Sequence, residues 1–239
     1  MYGKNKGIHK MTKSLFQQAD IPVCKSIELQ LKDGEQIVKI NGKKFVQWHD
    51  LIDIRVPLFN DPSILLSKRV PKPLHGRAPR AILTEIDKFW WDRTRQRVYS
   101  ISGRHCSCCG VHQSQQKGWV RNQLDCHEVY DVDYTTGTSR LAYMTALCKF
   151  CHNGIHFGRL TAQKDSGKIQ EKTFYSIVSH CNSILKEAGL PRKNWDASID
   201  DNSGNIPWNE WNLELIIDGK VQKFYSLYKD EAECDAAYA

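Results

Sequence analysis

The sequence contains no long hydrophobic run, no low-complexity tract and no internal repeat. No apolar stretch approaches the roughly 20 residues that a membrane-spanning helix needs. The N-terminal stretch MYGKNKGIHKMTK is basic, but it lacks the apolar segment of a secretory signal. We therefore expect a cytoplasmic protein with no membrane partner. Its 239 residues, of which 41% are hydrophobic, are enough for one large domain or two modest ones.

Positive charge is concentrated in one part of the chain. The formal net charge is +7, and the segment from Lys68 to Arg104 alone accounts for it with ten basic and three acidic residues. A localised basic segment is typical of proteins that bind a polyanion, although a solvated helix face has a similar composition. Within it, a helix is predicted from Thr84 to about Tyr99.

The predicted elements are mixed and mostly do not alternate, which favours the α+β class. Asn41-Gly42 and Asp218-Gly219 each lie between short strand-like runs and predict β-hairpins. Apolar residues at helical spacing over 174–188 predict a helix. We divide the chain into an N-terminal β-rich segment, a central segment with the basic helix and a metal-binding core, and a C-terminal helix-and-hairpin extension, over residues 1–67, 68–165 and 166–239.

Four of the nine cysteines form two C-x2-C pairs, Cys106 with Cys109 and Cys148 with Cys151. In a chain of this length without a signal, such cysteines more often bind metal than form disulfides. Four thiolates suit a closed, tetrahedral structural zinc site. Cys108 lies inside the first pair and could replace a neighbour as a ligand.

Two histidines follow the second pair, within the stretch LCKFCHNGIH. On a helix that begins near Cys151, His152 and His156 would project from one face as ligands for a second ion. The 38 residues between the two cysteine pairs contain LDCHEVYDVDY, which predicts a strand over 124–134. On that strand Asp125 and His127 lie on one side, and Cys126 and Glu128 lie on the other.

Together these motifs resemble one known family. A C-x2-C pair, a strand with a histidine, and then LC-x2-CH-x3-H resemble the HNH nucleases of the ββα-metal fold, above all the zinc-stapled branch with its phage resolvases and phage and bacterial HNH proteins. The pattern covers residues 105–160, about a quarter of the chain. The resemblance implies a ββα-metal HNH core with a structural zinc, flanked by the hairpins and helices predicted above.

The resemblance also implies roles for the histidines. His127 matches the general base that ends the first strand of the family's motif. His152 matches the helical metal ligand, and His156 matches the second helical histidine of colicin-like members. The catalytic ion of such a site could be Mg²⁺, Mn²⁺, Ni²⁺ or Zn²⁺.

Two positions differ from the family's pattern. Cys126 stands directly before the base, where an acidic or histidine ligand is usual, so Asp125 or Glu128 is a candidate for that role. If the register shifts by one residue, His127 becomes a ligand and Glu128 the base. The asparagine that normally precedes LC and orients the base has no counterpart in TTGTSRLAYMTALC.

The leading hypothesis is a metal-dependent endonuclease that hydrolyses phosphodiester bonds in DNA, encoded by a phage or acting in bacterial defence. In this chemistry a histidine takes a proton from water, and a divalent ion offsets charge on the phosphate and the leaving oxygen. Residues expected to contact the nucleic acid are Arg93, Arg97, Arg104 and Arg159.

Two alternatives remain open. The chain could cleave RNA, such as tRNA, as the nuclease subunit of an anti-phage complex. It could instead be a catalytically inactive, zinc-containing module that only binds nucleic acid. The flanking hairpins and helices leave room for a protein partner or a homodimer.

Overall fold

A computed structural model of the chain describes residues 31, 34–67, 70–116, 123–193, 195 and 206–238. Within this part, seven strands and six α-helices confirm the predicted α+β class. Residues 1–30 of the N-terminal segment, and Lys68 and Arg69 of the basic segment, lie outside it. The strands are β1 (Gln36–Ile40), β2 (Lys43–Asp50), β3 (Ile52–Pro57), β4 (Leu124–Asp133), β5 (Thr138–Cys148), β6 (Asn212–Ile217) and β7 (Lys220–Tyr225). The helices are α1 (Pro79–Ile86), α2 (Trp90–Ile101), α3 (Lys149–Ile155), α4 (Phe157–Asp165), α5 (Glu171–Glu187) and α6 (Glu231–Tyr238).

The seven strands belong to one hydrogen-bonded sheet, in which β6 joins the other parts. Strands β1, β2 and β3 form an antiparallel meander, and β4 and β5 form an antiparallel hairpin. Strand β6 pairs with β7 over its whole length, runs parallel to β5 over Thr138–Arg140, and meets β3 where Ile217 pairs with Ile52. Strands from all three segments of the sequence therefore share the sheet.

Both predicted hairpin turns are confirmed. Asn41 and Gly42 join β1 to β2 with φ angles of 50° and 80°, and Asp218 and Gly219 join β6 to β7 with φ angles of 48° and 73°. Two successive positive φ angles are typical of the type I′ turn, whose twist matches that of the strands it connects. The turn residues therefore set the register of each hairpin.

The prediction of one continuous helix over 84–99 is wrong, because the chain forms two helices here. Pro79 lies in the first turn of α1, so this helix begins before Thr84. Asp87 ends α1 with an extended backbone (φ −139°), and its side chain accepts a hydrogen bond from the N–H of Phe89 at 2.9 Å. A short acidic side chain that competes for backbone donors thus interrupts the helical pattern.

Helix α2 fixes the position of β4 against the rest of the sheet. The indole N–H of the fully buried Trp90 donates to the carbonyl oxygen of Asp50 at 2.7 Å, at the end of β2. The hydroxyl of Tyr99 donates to the carbonyl oxygen of Leu124 at 2.9 Å, at the start of β4. The strand that carries His127 is therefore anchored at its first residue.

The helix predicted over 174–188 is confirmed as α5, and it packs against α3. Its buried side chains belong to the main hydrophobic core, together with the residues of α3 that they contact. Among the described residues, no helix has both the length and the apolar character that crossing a bilayer requires.

Candidate metal centres

Four thiols meet where β5 ends and α3 begins. The Sγ atoms of Cys106, Cys109, Cys148 and Cys151 all lie within 4.8 Å of one another, so this group could hold a metal ion. Cys148 is the N-cap of α3, and its Sγ accepts a hydrogen bond from the backbone N–H of Cys151 at 3.5 Å. All but Cys109 are buried. The grouping predicted from the two C-x2-C pairs is confirmed.

The first cysteine pair lies on a tight turn that is held against β5. The N–H of Gly110 donates to the carbonyl oxygen of Cys106 at 2.8 Å, and the N–H of Cys106 donates to that of Val111 at 2.9 Å. Gly110 has a φ of 73°, a left-handed conformation that glycine adopts without strain. The N–H of Ser107 donates to the carbonyl oxygen of Ala146 at 2.8 Å, which ties the turn to the strand that leads into the second pair.

The four thiols are too close to ionise together without a cation. Hydrogen bonds from the thiols of Cys106 and Cys109 hold the pKa of Cys148 well below its usual range. The pKa of Cys109 and that of Cys151 are raised, first of all through their hydrogen bonds with Cys106. A divalent ion such as Zn²⁺ would offset the repulsion between the negative charges, because it can bind all four groups as thiolates. Cys108 is buried but lies outside the four-thiol group.

Three imidazoles form a second group that could hold a metal ion. His127, His152 and His156 each offer a ring nitrogen within 4.8 Å of the other two. The ring centroids of His152 and His156 are 4.6 Å apart, and that of His127 lies 5.3 Å and 5.0 Å from them.

His156 lies at the end of α3 and not inside it. It is the C-cap residue, with φ −86° and ψ 51°, and α4 follows directly. Its N–H still donates to the carbonyl oxygen of His152 at 3.2 Å, so the two residues keep the i, i+4 relationship predicted from the sequence. The structure therefore brings together His127 from β4, His152 from α3 and His156 from the junction of α3 and α4.

Asp125 lies beside this group without belonging to it. Its Oδ2 is 2.8 Å from Nδ1 of His152, and its Oδ1 accepts a hydrogen bond from Nζ of Lys149 at 2.7 Å. Burial opposes the ionisation of Asp125, but the contacts with His152 and Lys149 outweigh it and lower the pKa to about 2. Oδ1 is hydrogen-bonded to Lys149, whereas Oδ2 contacts His152 at ion-pair distance without the geometry of a hydrogen bond. Asp125 is therefore placed to orient a ligand and not to act as one.

Burial keeps two of the histidines in the neutral form. Desolvation lowers the pKa of His127 well below its usual value, and the positive charges of His156, His152 and Arg159 lower it further. Desolvation also lowers the pKa of His156, to about 3, with added effects of His152 and Arg159. Neutral imidazole is the form that binds metal ions or accepts a proton.

Glu128 lies on the opposite face of β4 from the three histidines, as strand alternation predicts. Desolvation raises the pKa of Glu128 to about 7, and the nearby charge that lowers it belongs to Arg80 on α1. Cys126 lies two residues before Glu128 and therefore on the same face of the strand. Burial raises the pKa of Cys126, and the charge of Glu128 raises it further. The structure therefore brings neither residue to the histidine group.

Three residues near the two groups were not found from the sequence. Thr145 is directly opposite His127 in the β4–β5 ladder, and its buried hydroxyl has no hydrogen-bond partner among the described residues. Nε2 of His180, on α5, lies 3.6 Å from Sγ of Cys151. Lys149 binds Asp125 from the first residue of α3. These contacts join distant parts of the chain, and no local sequence pattern indicates them.

Two arginines of the basic segment, Arg93 and Arg97, are engaged within the protein. Arg93 forms ion pairs with Asp50 at 3.0 Å and Asp87 at 2.8 Å. Nε of Arg97 is 2.6 Å from Oε1 of Glu35, and its guanidinium lies 4.9 Å from the ring centroid of Trp48. Each of these two arginines already forms an ion pair with a carboxylate, so they are weaker candidates for the nucleic-acid contact expected from the sequence.

Arg104 and Arg159, the other two arginines expected to contact nucleic acid, are exposed. Nη1 of Arg104 is 3.4 Å from Oε1 of Gln113, and Nη2 of Arg159 is 3.4 Å from Oδ1 of Asn153. These are long contacts with neutral partners, so the positive charge of each side chain is not neutralised by them. Arg159 follows His156 closely and acts electrostatically on His127 and on His156.

The two groups that could hold a metal ion meet at one short helix, since Cys148 and Cys151 lie at its start, His152 lies within it and His156 ends it. Their chemistry differs, with four sulfur ligands in one and three nitrogen ligands in the other. No protein-family model, curated protein or solved structure matches the chain.

Proposed function

We propose that the protein is a metal-dependent endonuclease of the HNH type, which hydrolyses phosphodiester bonds in DNA. The observation that carries this proposal is the cluster of three imidazoles from β4 and α3, with ring nitrogens within 4.8 Å of one another. The ions proposed are a structural Zn²⁺ in the four-cysteine group and a catalytic divalent ion, such as Mg²⁺, Mn²⁺, Ni²⁺ or Zn²⁺, in the histidine group.

The four cysteines suit a structural role. All four ligand positions are filled by sulfur, which leaves no open position for a substrate. The group links the turn over 106–110 to the junction of β5 and α3, and the histidines lie on that same helix. Zinc binding here would hold His152 and His156 in place relative to β4.

In the histidine group we assign His152 and His156 as metal ligands and His127 as the general base. When bound, a divalent ion would offset negative charge on the phosphate and on the leaving oxygen. A ring nitrogen of His127 would take a proton from the attacking water as the water oxygen bonds to phosphorus and the ester P–O bond breaks. The products would be a phosphate monoester and a free hydroxyl.

The positions of the neighbouring carboxylates favour this assignment over the shifted register. If His127 were a third ligand, another residue would have to accept the proton. Glu128 projects from the opposite face of β4. The carboxylate of Asp125 is hydrogen-bonded to Lys149 through Oδ1 and lies 2.8 Å from His152 through Oδ2. Of the ionisable groups described in this cluster, His127 is therefore the best placed to act as the base.

Arg159 is the best candidate for a phosphate contact. It is exposed, has no acidic partner among its described contacts, and lies close enough to His127 and His156 to lower the pKa of both. A guanidinium here would bind the phosphate backbone regardless of sequence. Arg104 is exposed as well and would extend the contact along the backbone.

The test is cleavage of supercoiled plasmid by the full chain, with each of the four divalent ions in turn. We expect nicking that EDTA stops and that the metal restores. Linear duplex DNA, branched DNA and tRNA, assayed in parallel, separate the substrate classes. Cleavage of tRNA alone would establish the RNA-cleaving alternative. Binding of DNA without cleavage in any metal would establish the inactive binding module.

A further inference from the structure

The contact between Asp125 and His152 determines which nitrogen of that imidazole carries the proton. We propose that Asp125 is a positioning residue that holds His152 with its proton on Nδ1, so that the lone pair of Nε2 points into the histidine group. This inference rests on the proposed metal-binding role of that group. It assigns to Asp125 a role other than that of a metal ligand.

The carboxylate is fixed by two partners from α3. Lys149, the first residue of the helix, donates to Oδ1 at 2.7 Å, and Nδ1 of His152 lies 2.8 Å from Oδ2. Since Oδ1 is hydrogen-bonded to Lys149 and Oδ2 lies at ion-pair distance from His152, rotation of the carboxyl group would break one of these two contacts. Asp125 therefore connects β4 to α3 at the point where the two elements bring their histidines together.

An ionised carboxylate can only accept hydrogen bonds, so the imidazole nitrogen that faces it must carry hydrogen. A neutral imidazole has one N–H and one lone pair, and a proton on Nδ1 leaves the lone pair on Nε2. Metal-binding histidines commonly donate their second nitrogen to a carboxylate in this way, and loss of the carboxylate typically weakens metal binding by about 10–100-fold.

The replacement Asp125→Asn should disturb His152 in a specific direction. Lys149 will still donate a hydrogen bond to the side-chain oxygen, so the NH2 group of the asparagine will face Nδ1 of His152. An amide donor favours a lone pair at Nδ1 and therefore moves the proton to Nε2. A similar wrong tautomer follows when the aspartate behind a catalytic histidine becomes asparagine. Asp125→Ala removes the acceptor without imposing the opposite tautomer.

The experiment compares the parent protein, Asp125→Asn and Asp125→Ala, each with one equivalent of Zn²⁺ to occupy the four cysteines. Asp131→Asn, an exposed position on the same strand, is the matched control. Nitrogen-15 NMR of the imidazoles, assigned with His152→Gln, gives the tautomer before any second metal is added. Titration with Co²⁺, followed by its visible absorption, gives the metal affinity of the histidine group.

We expect the Nδ1–H form of His152 in the parent and the control, and the Nε2–H form in Asp125→Asn. The Co²⁺ affinity should fall by about 10–100-fold in Asp125→Asn and by less in Asp125→Ala. A parent protein with the proton of His152 on Nε2 would overturn the proposal. This NMR measurement uses the parent protein alone, so it does not depend on whether any variant folds. An unchanged Co²⁺ affinity in Asp125→Asn would overturn it as well. If the parent binds no Co²⁺ at the histidines, the proposed catalytic metal fails, and the tautomer measurement still decides the role of Asp125.

Discussion

Gly154 on α3 and Cys181 on α5 approach so closely that a Cβ atom at position 154 would lie 2.3 Å from the Cys181 Sγ. Both residues are buried, and the neighbouring Cys181 S–H points to the carbonyl oxygen of Phe150 at 3.8 Å. A glycine in a helix costs stability relative to alanine. The close packing of α3 against α5 explains the glycine at position 154. This packing supports α3, where the two groups that could hold a metal ion meet.

Gly154→Ala should therefore destabilise the protein. We expect the free energy of unfolding to fall by about 1–3 kcal/mol, the usual effect of overpacking a buried contact. Urea denaturation of the zinc-loaded protein measures it. Gly158→Ala is the matched control, because a Cβ at position 158 meets no atom within 4 Å, and we expect no loss of stability there. The double variant with Cys181→Ala should recover most of the loss, and a Gly154→Ala protein as stable as the parent would show that the helices are less tightly packed than described.

Replacement of a zinc ligand should affect folding, while replacement of its buried neighbour should not. Cys148→Ser should lose the bound Zn²⁺ and lower the melting temperature strongly, because the binding free energy of a structural zinc is part of the folding free energy. Cys108→Ser should keep its zinc, since Cys108 is buried beside the group but lies outside it. Metal content by mass spectrometry, together with thermal melting, tests both. A Cys148→Ser protein that retains zinc and its melting temperature would contradict the structural role.

The arginines should separate into two classes. Arg159→Ala should weaken DNA binding at all sequences and reduce the slope of log K against log salt by roughly one unit, as loss of one phosphate contact does. Lys220→Ala, at the exposed first residue of β7, is the charge-matched control and should leave the slope unchanged. An unchanged slope in Arg159→Ala would remove this residue from the interface.

Arg97→Ala should act on stability and not on the salt dependence. The variant removes the ion pair with Glu35 and the guanidinium that lies over the face of Trp48. We expect a loss of about 1–2 kcal/mol in the free energy of unfolding. If the salt slope falls instead while stability is unchanged, the arginine binds DNA despite its internal contacts.

Much of the candidate site could be predicted from the sequence because its signals are local. C-x2-C spacing, the H-x3-H spacing and strand alternation around His127 each follow from the geometry of a few consecutive residues. Asn41-Gly42 and Asp218-Gly219 predicted their hairpins for the same reason.

The parts that could not be predicted depend on contacts between distant residues. Arg97 meets Glu35 across 62 positions in the chain, and Lys149 meets Asp125 across 24. No periodic pattern indicates that Gly154 and Cys181 touch. The break between α1 and α2 was missed because the side chain of Asp87 caps a backbone N–H locally, which overrides an otherwise helical pattern.

The central claim is that the histidine group performs metal-dependent phosphodiester hydrolysis with His127 as the base. The most direct test is the rate of plasmid cleavage by the parent, His127→Ala, His152→Ala and Glu128→Gln across a titration of Mn²⁺. His49→Ala, an exposed histidine on β2, is the matched control and should cut at the parent rate.

We expect His127→Ala to lower the maximal rate by about 10²–10⁴-fold at every metal concentration, the usual contribution of a positioned general base. His152→Ala should regain activity as Mn²⁺ rises, because it weakens a ligand without removing the base, and Glu128→Gln should cut nearly as well as the parent. Loss of cleavage in Glu128→Gln, with a mere shift in metal requirement in His127→Ala, would establish the alternative register. If His127→Ala and His152→Ala both cut at the parent rate, the histidine group is not the nuclease centre and the account is contradicted.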